Sequence, residues 1–172
     1  EDAYPTERIE AQLNGLIVAE NLSLGGTSAG QHIEGKAPQG GIPYAQWIAN
    51  SQARLVVIRY GGIEALFDLP ADEFKYNIEM MVTLARNLNK EVVLVGKIHI
   101  PTGPGADAEF QARYARVDTI LRDIAIRLNV HYLDVSKVPF NAGEMIDPIH
   151  PDKVYQDRVS DFIADKLLEI FG

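Results

Sequence analysis

The sequence predicts an α/β fold, a three-layer α/β/α sandwich on a parallel sheet, and three observations carry that expectation. Short apolar runs alternate along the chain with stretches whose apolar residues recur every three or four positions. The clearest runs, Leu55-Val56-Val57-Ile58 and Val92-Val93-Leu94-Val95, are continuous, as in strands covered on both faces. Each is followed by a glycine-bearing segment, Gly61-Gly62 and Gly103-Pro104-Gly105, where a parallel sheet places its ligand loops.

Taken in order, Pro5 suits a first helical turn, Ile9 and Leu13 share one face, and Gly15 ends the helix. Residues 16–22 form a short apolar run that predicts a buried strand. Ser23 to Gly30 is a loop of small residues; its glycines would let backbone N–H groups face a ligand, and it serves equally well as a flexible turn. Ser23 and Ser28 lie in no G-x-S-x-G turn, so neither is assigned as a nucleophile. Residues 32–41, rich in Gly and Pro, read as an irregular surface loop, and 43–50 as a short helix with Trp47 and Ile48 inward. A strand is expected over 54–60, ending in Gly61-Gly62-Ile63-Glu64.

Phe74, Ile78, Met81, Ala85 and Leu88 define one face of a helix over 70–89. A strand over 91–98 follows and empties into a loop that makes a candidate substrate wall, with His99 read as a structural residue at the strand end. Phe110, Tyr114, Val117, Leu121, Ile124 and Leu128 give the longest helical stripe, with the interleaved arginines on its solvated face. The last strand is expected over 130–135, with His131 at the surface and Asp134 as its end cap. A final helix over 152–171 turns Val159, Phe162, Ile163, Leu167 and Ile170 inward.

Bulk properties narrow the function. The 172 residues fit one domain spanning 1–172, and a hydrophobic share of 47% supplies a sizeable core. A net charge of −8 and a pI near 4.9 argue against nucleic acid or an anionic membrane surface as the main partner. No apolar run approaches the roughly 20 residues that cross a bilayer. The absence of cysteine removes disulfides, thiolate zinc sites and a cysteine nucleophile. The four histidines lack ligand spacing and no phosphate-binding glycine motif ends a strand, so neither metal nor cofactor is expected.

Chemistry concentrates in Met145-Ile146-Asp147-Pro148-Ile149-His150-Pro151. An aspartate three residues before a histidine, beside two prolines, can put both side chains on one turn. The carboxylate would then orient an imidazole that acts as a general base. The plainer alternative is a proline-rich loop with a helix-capping aspartate.

These blocks together resemble the SGNH, or GDSL-type, hydrolases, a flavodoxin-like α/β fold. Asp147 and His150 match that family's closing D-x-x-H. Asn21-Leu22-Ser23-Leu24-Gly25-Gly26 is similar to the block that supplies an oxyanion N–H, with Gly26 as the match. Gly61-Gly62-Ile63-Glu64 falls where the family has G-x-N-D, which makes Gly62 a second oxyanion or substrate-binding position. The resemblance implies a serine esterase acting through an acyl-enzyme on lipid, acylated sugar or polysaccharide acetyl esters, a small-molecule or glycan substrate.

The resemblance also brings two departures. It places the Gly-Asp-Ser nucleophile on a first strand ahead of Tyr4-Pro5. That serine is therefore expected upstream of Glu1, on a separate N-terminal segment completing the sheet between the strands at 16–22 and 54–60. Ile63 stands where the family has asparagine, so a side-chain oxyanion donor is lost. The second reading open at this stage is thus a degenerate relative that keeps the cleft and only binds, for instance an acylated glycan.

Overall fold

Apolar runs without alternation bury both faces only by lying side by side under helices, and the run Val92-Val93-Leu94-Val95 does this. A computed structural model of the protein describes residues 5–13, 25–38 and 40–172. Three strands, β1 (Leu55–Ile58), β2 (Glu91–Val95) and β3 (His131–Leu133), pair in parallel in the order β1-β2-β3. Leu55 lies opposite Glu91 and Ile58 opposite Leu94, while Val93 faces His131 and Val95 faces Leu133. The predicted strand at 16–22 and the helix stop at Gly15 lie outside the described residues.

Helices flank this sheet. α1 (Pro5–Gln12) precedes α2 (Ala29–Glu34) and α3 (Tyr44–Asn50). α4 (Gly62–Leu66) follows β1, and α5 (Ala71–Asn87) leads to β2. α6 (Ala108–Leu128) leads to β3, and α7 (Lys153–Phe171) closes the chain. α5 and α6 pack against each other and on β2, whose Val92 to Val95 are at most 2% exposed. α1 rests on α7, where Arg8 donates to Asp161 at 2.7 Å and pairs with Asp157 at 3.2 Å.

Several expectations change. Strands stop earlier than predicted, at Ile58, Val95 and Leu133, because the segments beyond them turn into loops. The surface loop expected over 32–41 begins inside α2, and His32 is buried rather than exposed. Ser28 caps that helix by accepting from Gln31 N at 3.2 Å, while Gln31 returns the contact to Ser28 N at 2.9 Å. α4 was not expected at all. Leu88 caps α5 and is 44% exposed, since the helix ends one residue before it could turn inward. Val57 on β1 is 41% exposed rather than covered, and the described residues place no strand on the outer edge of β1.

Candidate active site

The Asp147–His150 turn is built from the backbone outward. Met145 bridges Pro151 in antiparallel fashion, and Ile146 N donates to His150 O at 2.8 Å, which closes the loop on itself. Within it, Asp147 Oδ1 accepts from Ile149 N at 2.9 Å and His150 N at 2.8 Å. That fixes the carboxylate and leaves Oδ2 to meet His150 Nδ1 at 2.7 Å. With Nδ1–H donating to the aspartate, His150 Nε2 is left as the free basic nitrogen. The backbone N–H of Ile149, followed by the His150 contact, holds the Asp147 pKa below its ordinary value, so the carboxylate stays charged beside the ring. An imidazole oriented in this way can serve as a general base, and both side chains are solvent-accessible.

The turn is itself braced. Glu144 forms a two-pronged ion pair with Arg158 of α7 and accepts from Asn141 N at 2.7 Å and Asn141 Nδ2 at 2.8 Å. The Arg158 hydrogen bond is the largest influence pushing the Glu144 carboxyl down to about 2. Asp152 caps α7 by accepting from Tyr155 N at 2.9 Å, and its own N–H donates to Glu144 O. On the other side, Gly105, at φ 81°, lies so close to Pro148 that an added Cβ would come within 2.9 Å of the proline ring. The loop after β2 therefore abuts the turn.

A second candidate segment lies at the exit from β1. Gly25 and Gly26 form a turn ahead of the Ser28 cap, Gly26 with φ 67°, and Gly62 opens α4. These two segments are joined by Glu64, which is 4% exposed: Oε1 accepts from Ala29 N at 2.7 Å and Oε2 from Gly61 N at 3.0 Å. Burial raises the Glu64 pKa above its ordinary value, against the pull of the Ala29 and Gly61 N–H groups. Gly61 itself has φ 121°, and a Cβ there would lie 2.2 Å from Val117 Cγ1, so only glycine fits this exit. Beneath it, His32 Nδ1 bonds the Tyr60 hydroxyl, with Tyr44 and Trp47 edge-on to the ring. Burial lowers the His32 pKa, so the imidazole is held neutral.

Of the residues singled out in the sequence, the structure thus brings Asp147 and His150 into contact and links the Gly26 segment to the Gly62 segment. Ser28 serves as a buried helix cap, and Ser23 lies outside the described residues. His99, expected as a structural residue, lies against Phe140 with ring centroids 4.8 Å apart. Sequence reasoning missed Glu64 and His32. For Glu64 there was a signal, an acid three residues beyond a glycine at a strand exit. Among the described residues no three His, Asp or Glu side chains gather as a metal site needs, and no helix is long and apolar enough to cross a membrane.

The model of the GDSL-like lipase/acylhydrolase family matches residues 1–157. Among solved structures, the chain is similar to Est24, a carbohydrate acetylesterase from Sinorhizobium meliloti, at 19% identity and TM-score 0.73, covering 97% of this chain and 85% of that one. It is also similar to a putative arylesterase from Agrobacterium tumefaciens, at 17% identity and TM-score 0.77, covering 96% and 86%. A third is the psychrotrophic esterase EstA from Pseudoalteromonas sp., at 16% identity and TM-score 0.73, covering 96% and 84%. At these identities the likeness is one of fold. No curated protein matches the sequence.

Proposed function

Because the chain belongs to the GDSL-like lipase/acylhydrolase family, we propose that it is a serine esterase of small acyl esters, with His150 as base and Asp147 as its orienter. The observation that carries this reading is the 2.7 Å contact between His150 Nδ1 and Asp147 Oδ2, in a turn that leaves Nε2 free. A serine hydroxyl attacks the ester carbonyl while Nε2 takes its proton. The tetrahedral oxyanion is held by the backbone N–H groups of Gly26 and Gly62. Collapse expels the alcohol, which recovers the proton from the imidazolium; water activated by the same nitrogen then releases the acid.

The Gly62 segment follows β1, the Gly26 segment is tied to it through Glu64, and the Asp147–His150 turn abuts the loop after β2, which supports their convergence on a single cleft. The nucleophile belongs, in this reading, on a strand pairing with the outer edge of β1, where Val57 is exposed. The carbohydrate acetylesterase and arylesterase among the similar structures make acetylated sugars and aryl acetates the first substrates to try.

Ile63, which offers no side-chain donor where the resemblance has asparagine, favours a second reading: a cleft that binds an acylated ligand without cleaving it. One experiment separates the two. Hydrolysis of p-nitrophenyl acetate by the full-length protein and by His150→Ala is expected to differ by at least about 10³-fold in kcat. Equal turnover by the two proteins would remove the esterase reading and leave the binding one.

A further inference from the structure

The proposed oxyanion donors sit on separate segments, and Ala29 and Glu64 are 35 residues apart in sequence. Neither donor is a side chain. A backbone N–H points where its φ and ψ send it, and Gly26 lies in the left-handed region, directly ahead of the segment that Glu64 grips. Glycine leaves such angles free unless something else fixes them. Ile63 adds no donor of its own. Whatever holds the two loops in register therefore decides whether an oxyanion hole exists.

We propose that Glu64 is a positioning residue: its carboxylate, bonded to Ala29 N and Gly61 N at once, sets the aim of the Gly26 and Gly62 N–H groups. The inference rests on the esterase reading. Each oxygen takes one N–H, so the side chain works as a caliper between α2 and the exit from β1. Two donors need two acceptors, and a carboxylate is the side chain that is acceptor-only at both ends. A buried charge is costly to keep, and filling space does not require one. Burial of the group at 4% exposure also keeps water from replacing either bond. The role is geometric, since an anion near an oxyanion gives no electrostatic help.

The test uses the full-length protein, Glu64→Gln and Glu64→Asp, with p-nitrophenyl acetate kinetics and amide hydrogen exchange. Gln matches the volume but turns one donor toward an N–H; Asp is a methylene shorter yet keeps both acceptors. Expected is a fall in kcat of about 10- to 100-fold for Glu64→Gln with KM held within about twofold, less than the 10²–10³-fold of deleting an oxyanion donor outright. Glu64→Asp should recover part of that loss, and residues 25–30 and 59–63 should exchange faster together in Glu64→Gln than in Glu64→Asp. A packing role would invert that order, with Gln the milder change.

If turnover depends on His150 and Glu64→Gln keeps the wild-type kcat, or loses only KM, the positioning role falls and the esterase reading stands. If turnover does not depend on His150, the esterase reading fails and exchange alone decides the caliper. Exchange unchanged in both variants, or no faster in Gln than in Asp, overturns it. Should Glu64→Gln not fold, Glu64→Asp carries the test alone: reduced kcat together with raised loop exchange supports the positioning role, and any other combination overturns it.

Discussion

Replacing Asp147 by Asn tests the proposed base without dismantling its loop. The carboxylate makes three contacts, and they divide cleanly between its two oxygens. Asn can keep the Oδ1 contacts to Ile149 N and His150 N, which hold the turn. Its Nδ2 then faces His150 Nδ1 and, being a donor, forces that nitrogen to accept. The proton moves to Nε2, the nitrogen that should receive the serine proton. In a buried triad this tautomer error costs about 10⁴-fold in kcat, roughly 5.4 kcal/mol of barrier. Here the Asp147 and His150 side chains are 44% and 66% exposed, so water can compete for the ring and soften the error. The expected loss is therefore about 10²–10⁴-fold in kcat, with an unchanged melting curve. Initial rates with p-nitrophenyl acetate across the neutral pH range, beside a thermal melt, measure both quantities. A kcat within about threefold of wild type in a folded Asp147→Asn protein would refute the orienting role.

Two further outcomes follow from the supporting structure. Gly61→Ala meets Val117 at 2.2 Å and holds φ 121°, so overpacking and left-handed strain should together cost about 2–5 kcal/mol, lowering the melting temperature by roughly 4–20 °C; a second change, Val117→Ala, should relieve the overlap but not the strain, and a single-mutant melt within about 2 °C of wild type would contradict both. Glu144 has a folded pKa near 2, below its unfolded value, so its contribution is present above about pH 4.3 and is lost as pH falls toward 2. Glu144→Gln should flatten the acid limb of a urea-midpoint-against-pH curve over that window, and an unchanged slope would show that the ion pair with Arg158 contributes nothing to folding.

The fold was legible because its strands are continuous apolar runs and its long helices carry unbroken stripes. Val92 to Val95 and the series from Phe110 to Ile124 are buried as their spacing requires. The Asp147–His150 contact was legible because both residues sit in one short turn, where sequence distance nearly equals spatial distance. What escaped were elements too short to show a period. α2 was hidden by Gly30 and the glycines on either side of it, although Ser28 and Gln31 have the spacing of a capping box. α4 has five residues and no stripe to read. Glu64 and His32 escaped for a different reason. Their partners, Ala29 and Tyr60, are distant in sequence, and only packing brings them near. Val57 shows the converse, since an apolar strand residue says that something should cover it but not what.

The loop carrying Asp147 and His150 closes on itself through Met145 and Pro151 and is riveted to α7 by Glu144 and Arg158. An imidazole held this way takes its bearing largely from α7, with the loop after β2 abutting Pro148 on the other side. The terminal helix and its preceding loop consequently form a portable cassette, one that could be grafted onto another parallel α/β scaffold with the ring already oriented. The Gly26 and Gly62 segments, the opposite wall in the proposed esterase, come from parts of the chain distant in sequence and could not be moved as one piece. In the proposed esterase, lengthening or reshaping the loops of that wall would alter which esters fit while leaving the base undisturbed.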